Sequence, residues 1–322
     1  MSATRIILDV DTGIDDALAL LYAVKSDDIQ LEGVTTVFGN VSVEQATVNT
    51  LQVLELAGAP ASVPVVKGAD RPLVRKWEGP VVHIHGDNGL GGFRLPPPSR
   101  QAAEGRAAEY LVRKINELGR DLTLVFVGRL TNLAHALAID PSIAGKVNRL
   151  VLMGGALRAP GNVTPTAEAN IWGDPEAAHR VFESGMPITM VGLDVTMQTV
   201  MKEEHVALVK RKAGTAGERT AEFIEQILAY YFSAYEKQNG FYGSPLHDLL
   251  AVAVAGDPTL VGTEELAVKI ETKGELSSGA TIGDLRGKPD YAVNASVCVS
   301  VDSERFLSRF IDVLASGAPS AQ

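Results

Sequence analysis

The stretch RIILDVDTGIDDALALLYAVK, residues 5–25, contains a short apolar run followed directly by a segment of helical periodicity. Residues 6–10 have the continuous apolar character of a strand that is buried on both faces. Residues 15–25 repeat apolar side chains at the three- and four-residue spacing of a helix. Gly13 lies between the two and allows a sharp turn. The stretch therefore predicts a strand–turn–helix unit of the kind that builds parallel sheets.

The same alternation repeats along the next part of the chain. Further strands are predicted at 31–38, 63–67, 122–127, 150–153 and 188–191, and further helices at 43–57, 102–118, 130–139 and 175–183. A helix-rich stretch at 203–238, strands at 266–271 and 291–301, and a last helix at 303–316 complete the prediction. We expect one α/β domain over residues 1–322, with a mostly parallel, Rossmann-like sheet flanked by helices. Ligands of such sheets bind outside the carboxyl ends of the strands, where we expect the active site.

The composition limits the possible partners. The 322 residues include 29 Lys and Arg and 39 Asp and Glu, which gives a net charge of −10. This acidic balance disfavours a nucleic-acid partner, because clustered basic residues supply affinity for phosphate backbones. Cys298 is the only cysteine, which excludes an intrachain disulfide and a thiolate zinc cluster. Because neither a signal-peptide pattern nor an apolar run of ~20 residues is present, we expect a cytoplasmic protein without a membrane partner.

Four carboxylates fall within eight residues at the predicted end of the first strand: Asp9, Asp11, Asp15 and Asp16. The helix dipole favours acidic residues in a first turn, but by only about 0.3–1 kcal/mol each. Alternation places Asp9 and Asp11 on the same side of the strand, where both cannot be buried in the ionised form without compensation. A hard cation such as Ca²⁺ or Mg²⁺ would supply that compensation. The cluster therefore predicts a metal site rather than simple helix capping.

A second candidate segment, Ser244-Pro-Leu-His-Asp248, precedes another apolar helical stretch. Ser244 is predicted to be the N-cap and Pro245 the first helical residue. His247 and Asp248 would then lie in the first turn, at the positive end of the helix dipole. That position favours an ionised Asp248 and a neutral His247, a combination suited to a metal ligand beside a proton-transfer group.

A third candidate segment follows the strand predicted at 150–153 and is rich in Gly, Pro and small polar residues. Its Asn162, Glu168 and Asn170 side chains offer hydrogen-bonding groups suited to the hydroxyls of a ligand.

These segments together resemble the inosine–uridine preferring nucleoside hydrolase family. The resemblance starts at DVDTGIDDA (residues 9–17) and continues in the family's order through TTVFGN (35–40), HGDNGLG (85–91), GRLTN (128–132), LMGG (152–155), the loop at 162–170 and the His247-Asp248 pair. Each motif is weak alone, whereas the ordered set is specific.

The resemblance implies hydrolysis of the N-glycosidic bond of a purine or pyrimidine ribonucleoside to ribose and free base. It implies one Ca²⁺ per subunit, with Asp11, Asp16, the Val127 carbonyl and Asp248 as ligands. Asp11 would also be the general base, and His247 the acid that protonates the leaving base. The substrate contacts that it implies are Asp15, Asn40, Met153, Asn162, Glu168, Asn170, His85, Tyr231 and Tyr235. We also expect a homodimer or a homotetramer.

Two positions depart from the family pattern. Arg129 stands where a Pro commonly follows the Gly, beside the predicted Val127 carbonyl ligand. Ala169 stands where a Phe is common, which predicts a wider wall on that side of the pocket.

Two other functions compete with this interpretation. An Asp-Val-Asp segment after a strand also resembles the nucleophile motif of aspartate-based phosphohydrolases, although Asp15, Asp16 and His247 would then have no role. A non-catalytic nucleoside- or ribose-binding protein that keeps the metal is the second alternative.

Overall fold

The computed structural model describes residues 3–215 and 217–316. Its strands are β1 (Thr4–Val10), β2 (Ile29–Thr36), β3 (Val65–Lys67), β4 (Leu122–Phe126), β5 (Arg149–Met153), β6 (Ile188–Val191), β7 (Val200–Met201), β8 (Ser244–Pro245), β9 (Val261–Leu266), β10 (Val268–Ile270), β11 (Thr281–Gly283) and β12 (Ala295–Val301). Its helices are α1 (Ile14–Lys25), α2 (Val43–Ala57), α3 (Val82–His85), α4 (Ala107–Leu118), α5 (Thr131–Ile139), α6 (Ala169–Gly173), α7 (Pro175–Phe182), α8 (Leu193–Thr196), α9 (Glu203–Ala213), α10 (Glu218–Asn239), α11 (His247–Gly256) and α12 (Ser303–Ala315). Within the described ranges, no helix is both long and apolar enough to cross a membrane.

The centre of the molecule is an eight-stranded sheet in the order β3-β2-β1-β4-β5-β6-β12-β9. Every neighbouring pair is parallel except β12 and β9, which are antiparallel. The chain runs outward from β1 towards β3, and then returns to β4 and runs the other way. The strand order therefore reverses between β1 and β4, and a crevice for ligands is expected outside their carboxyl ends.

Both faces of this sheet are covered, which explains the continuous apolar runs in its strands. Along β1, Ile6, Leu8 and Val10 belong to one buried core, whereas Ile7 belongs to the core on the opposite face. Helix α1 packs against α2, α11 and α12 and is buried almost all round. The predicted single α/β domain with a mostly parallel sheet is confirmed for the described residues.

The prediction for residues 244–248 is wrong in one respect. Ser244 and Pro245 form strand β8, which pairs with β7, and α11 begins only at His247 with Leu246 as its N-cap. The Leu246 amide donates to the Thr199 carbonyl (3.0 Å), so a contact distant in sequence holds this segment extended. His247 and Asp248 nevertheless lie in the first turn, as predicted.

Two other predicted elements begin several residues later than expected. The helix predicted from residue 102 begins at Ala107, and the strand predicted from residue 291 begins at Ala295. Tyr291, predicted to start that strand, is exposed and lies under the ammonium group of Lys269.

Gly33 in β2 provides a test of how the sheet packs against α4. The Tyr110 hydroxyl donates to the Glu32 carbonyl (2.9 Å), and a Cβ atom on Gly33 would overlap that hydroxyl. Gly33→Ala should therefore lower the free energy of unfolding by about 1–3 kcal/mol. Tyr110→Phe in the Gly33→Ala background should restore part of the loss, because it removes the overlapping atom.

Urea denaturation measures these free energies, with Gly145→Ala as the matched control because its Cβ would meet no atom within 4 Å. Equal stability of Gly33→Ala and Gly145→Ala would contradict this account of the packing.

Candidate active site

A cavity of ≈ 840 Å³ opens at the carboxyl ends of the central strands. It is lined from β1 and α1 by Asp15, from the loop after β2 by Asn40, and from the loop after β4 by Val127 and Arg129. The predicted site residues that line it are Asp15, Asn40, His85, Val127, Met153, Asn162, Glu168, Asn170, Tyr231, Tyr235, His247 and Asp248. The fold thus brings together residues from segments more than 200 positions apart in the sequence.

Three buried carboxylates converge at the base of this site. Asp15, Asp16 and Asp248 each place one side-chain oxygen within 4.8 Å of the others. Asp15 and Asp16 lie in the first turn of α1, and Asp248 lies in the first turn of α11, which packs against α1. Asp16 also caps its own helix, since it accepts from the amides of Asp11 (3.1 Å) and Gly13 (2.9 Å).

Burial makes ionisation of these groups costly. It raises the pKa of Asp15 to about 6, and it raises the pKa values of Asp16 and Asp248 well above the usual range, with repulsion between the carboxylates adding to each shift. Among the described residues, Asp11 Oδ1 and Asp15 Oδ1 are buried without a hydrogen-bond partner. A divalent cation that prefers oxygen ligands would stabilise the ionised carboxylates and would bind the unpartnered oxygens. The donor set therefore fits such an ion.

Asp11 lies outside this group of three. Its Oδ2 accepts from the Asn40 amide (2.7 Å) and forms an ion pair with the Arg129 guanidinium. Burial raises the pKa of the Asp11 carboxyl, and Arg129 opposes that rise. Sequence reasoning noted Arg129 only as a departure from a pattern and missed it as a site residue. The available signal was a basic residue in the loop after β4, where the strand order reverses.

The Val127 carbonyl, predicted to bind the metal, accepts a hydrogen bond from a side chain of the protein. Asn170 Nδ2 donates to the Val127 carbonyl (2.7 Å) and to the Met153 carbonyl (3.1 Å). Glu168 is the N-cap of α6 and also accepts from the Gly155 amide (2.9 Å). These contacts lock Glu168 and Asn170 in place at the edge of the cavity.

Asn40 and Asn162 complete the polar wall. Asn40 Nδ2 donates to Asp16 Oδ2 (3.1 Å), which ties the loop after β2 to the carboxylates. Asn162 Oδ1 accepts from the Ala169 amide (3.0 Å), and its side chain is exposed at the mouth of the cavity.

The opposite wall carries aromatic and imidazole groups. His247 Nε2 lies 2.7 Å from the Tyr235 hydroxyl, and His247 Nδ1 lies 2.8 Å from Thr196 Oγ1. Tyr231 packs edge-on against Tyr235, with 5.0 Å between the ring centroids. Burial lowers the pKa of His247 to about 4, so this imidazole is neutral at neutral pH.

His85 closes this wall from α3. Its Nδ1 accepts from the Ile14 amide (3.1 Å), and its ring lies 5.7 Å from that of Tyr231. Burial, with the Arg129 charge adding, lowers the pKa of His85 to about 3. Trp77, which sequence reasoning did not consider, also lines the cavity and donates to the Gly39 carbonyl (3.2 Å).

Asp9 lies beneath the site and does not line the cavity. It accepts from Thr35 Oγ1 and Asn132 Nδ2, and burial raises its pKa to about 8. The protonated form of this carboxyl therefore avoids a further buried charge below Asp11.

Comparison with known proteins gives a consistent result. Residues 6–308 match the family model described as inosine-uridine preferring nucleoside hydrolase. The inosine-uridine preferring nucleoside hydrolase of Leishmania major is 40% identical over 312 residues, which cover 96% of this chain and 97% of the relative. A pyrimidine-specific ribonucleoside hydrolase of Escherichia coli O157:H7 is 37% identical over 308 residues, 95% of both chains. The solved structure of a purine-preferring ribonucleoside hydrolase from Gardnerella vaginalis superposes with a TM-score of 0.90 at 38% identity and covers 97% of this chain and 98% of that chain.

The fold and the site therefore define an enzyme of the nucleoside hydrolase class. More narrowly, the chain belongs to the inosine-uridine preferring nucleoside hydrolase family, whose model covers nearly its whole length. It hydrolyses ribonucleosides to ribose and free base. The predicted family and activity are confirmed, and the phosphohydrolase and non-catalytic alternatives are set aside.

The buried neutral His85 predicts a pH dependence of stability. Unfolding returns His85 to its ordinary pKa of about 6.5, so below that pH the unfolded state binds a proton that the folded state excludes. Stability should fall as the pH drops from about 6.5 towards 3, by about 2 kcal/mol for this group by pH 5. His85→Asn keeps an acceptor for the Ile14 amide and should remove this contribution.

Urea denaturation at pH 7 and pH 5 tests this, with the exposed His135→Asn as control. An unchanged pH dependence in His85→Asn would refute the assignment of this contribution to His85.

Proposed function

We propose that this nucleoside hydrolase uses one Ca²⁺ ion, held at the base of the cavity by Asp11, Asp16, the Val127 carbonyl and Asp248. The observation that carries the proposal is the convergence of Asp15, Asp16 and Asp248, each with one oxygen within 4.8 Å of the others. The buried Asp11 Oδ1, which has no hydrogen-bond partner, supports Asp11 as a further ligand. Carboxylate and carbonyl oxygens are the ligands that Ca²⁺ prefers. A divalent cation bound there would anchor the ribose and make the attacking water more acidic.

The carboxylate wall suits the charge that develops during hydrolysis. Cleavage of an N-glycosidic bond passes through a ribosyl group with oxocarbenium character, which acidic and amide oxygens stabilise. Asp15, Asn40, Glu168 and Asn170 line the cavity, and we assign them to the ribose hydroxyls. Asn162 and Met153 also line it and are assigned to the mouth and to the face of the sugar. Asp11 is assigned as the general base for the attacking water.

The opposite wall suits the departing base. His247 is hydrogen-bonded at both ring nitrogens. In the proposed cycle it takes up one proton from solvent and gives one up towards the base, so it returns to the neutral imidazole. Tyr235 also lines the cavity, and in our assignment its hydroxyl donates to the base while it accepts the proton of His247. Tyr231 and His85 provide the surface against which the base packs.

The size of the cavity and the names of the relatives indicate which bases can enter. Relatives named for purine and for pyrimidine nucleosides both align over nearly the full chain. The cavity is large, and Ala169 leaves one wall free of the Phe that the family commonly places there. We therefore propose that both classes of ribonucleoside enter, and ranking inosine, adenosine, guanosine, uridine and cytidine by kcat/KM tests this.

We further propose a cytoplasmic homodimer or homotetramer. Five strongly exposed apolar side chains within one stretch support self-association: Leu276, Ile282, Leu285, Tyr291 and Val293. Light scattering distinguishes the two assemblies from a 34.1 kDa monomer, and cell fractionation tests the location.

Removal of the metal should stop turnover, and removal of the ribose 2′-hydroxyl should slow it strongly. Exhaustive chelation should stop ribose release from inosine, and added Ca²⁺ should restore it.

Deoxyinosine should react roughly 10²-fold more slowly or worse, because a site built to bind a hydroxyl rejects analogues that lack it. A reducing-sugar assay measures both effects. Turnover that survives chelation, or equal rates for inosine and deoxyinosine, would refute the proposed metal site.

Loss of His247 should matter only when the leaving group needs a proton. His247→Ala should slow inosine hydrolysis by roughly 10²–10⁴-fold and spare p-nitrophenyl riboside, whose phenolate leaves unprotonated. Tyr235→Phe should show the same substrate dependence, because the proton passes through its hydroxyl. Tyr230→Phe, on the same helix and bonded instead to the Val82 carbonyl, is the matched control. Equal losses on both substrates would show that His247 only shapes the cavity.

A further inference from the structure

The Arg129 side chain is buried among the acidic and amide groups of the site. Its side chain is only 7% exposed, and its guanidinium pairs with the fully buried Asp11. Arg129 Nη1 also lies 3.3 Å from Asn170 Oδ1 and 3.5 Å from Asn40 Oδ1. All three partners are residues to which the proposed function gives roles at the metal or the ribose.

Two glycines make room for this side chain. A Cβ atom on Gly173 would lie 2.7 Å from Arg129 Nε and 2.8 Å from its Cγ. A Cβ atom on Gly39 would lie 2.7 Å from Arg129 Cζ. Any side chain larger than hydrogen at positions 39 or 173 would therefore overlap the aliphatic stem or the guanidinium of Arg129. The two glycines thus leave the space that the Arg129 side chain occupies.

The negative charges around the site explain why the Arg129 guanidinium is buried there. Asp11, Asp15, Asp16, Asp248 and Glu168 are all buried carboxyl groups at one end of the sheet. Among the described residues that line the cavity, Arg129 is the buried cation, since Lys76 is exposed and Arg75 pairs with Glu176. Arg129 therefore compensates part of the negative charge that a metal ion would otherwise have to neutralise alone.

We propose that Arg129 is an internal counter-ion that competes with the divalent cation for Asp11. The inference rests on the proposed function, because it takes Asp11 as a metal ligand. In the metal-free enzyme the guanidinium neutralises Asp11 and stabilises the empty site. Arg129 pairs with Asp11 Oδ2, whereas Asp11 Oδ1 is buried without a partner and is the atom left for the metal. Both cations would then share one carboxylate, so Arg129 weakens metal affinity and makes the fold less dependent on the metal. The Oδ1 atoms of Asn40 and Asn170 lie close enough to accept from the guanidinium if the metal draws Asp11 away from it.

Calcium titration of the metal-stripped full-length enzyme tests this directly. Arg129→Met keeps the apolar stem and removes the charge, and it should bind Ca²⁺ roughly tenfold more tightly or better, because close charge pairs couple at least that strongly. Arg129→Lys keeps a charge and should bind Ca²⁺ less tightly than Arg129→Met. If Arg129→Met fails to fold, Arg129→Gln removes the charge while keeping a hydrogen-bonding group.

Thermal unfolding with and without chelator supplies a readout that is independent of activity. Addition of Ca²⁺ should raise the Tm of Arg129→Met by more than it raises the Tm of the wild type. The matched control is Arg149→Met, which removes a partly buried guanidinium that binds the Val254 and Ala255 carbonyls away from the cavity. It should leave calcium affinity unchanged.

The outcomes separate the inference from the function on which it rests. Equal or weaker calcium binding by Arg129→Met, or equal affinities of the Lys and Met variants, would overturn the competition while leaving the metal site in place. Absence of calcium binding in both the wild type and Arg129→Met would overturn the proposed metal site itself, and the competition with it.

Discussion

The burial of several carboxyl groups at one end of a parallel sheet is the constraint on which the rest of this site depends. Isolated charges in a protein interior are costly, so each carboxyl must be protonated, paired or bound to a cation. The chain uses different solutions at neighbouring positions. Asp9 has a pKa of about 8 and two donors, Asp16 caps a helix, and Asp11 is paired with Arg129. These internal partners leave Asp11 Oδ1 and Asp15 Oδ1 without a hydrogen bond, and they leave Asp248 among like charges, so a bound cation would complete the compensation.

The two walls of the cavity differ in their electrostatic character. One side of the cavity presents the acidic groups of Asp15, Glu168 and Asp248, whereas the other presents the neutral imidazole and phenol groups of His85, Tyr231, Tyr235 and His247. Burial lowers the pKa values of His85 and His247, so no positive charge opposes the acids from that side. A nucleoside has the same division, since its sugar develops positive charge during hydrolysis and its base accepts a proton. The proposed function therefore assigns the glycosidic bond to the space between the two walls.

Local patterns predicted the features that local physics determines. The strand and helix of residues 5–25 follow from side-chain periodicity, and the acidic cluster could be identified because its members are adjacent in sequence. Features that depend on distant contacts could not be predicted in this way. Ser244 and Pro245 have the composition of a helix start, yet pairing with β7 makes them a strand. The reach of Arg129 to Asp11 spans 118 positions, and no local pattern encodes it.

The two edges of the central sheet differ from its interior strands in a way that affects the behaviour of the protein at high concentration. One edge, β3, has only three residues, and the other, β9, carries Glu264 and Glu265 in an antiparallel pairing with β12. Short or charged edge strands make poor templates for the backbone of a second chain. The exposed ladder groups at these edges are therefore protected against strand addition and fibril growth, and contacts between copies are left to side chains elsewhere on the surface.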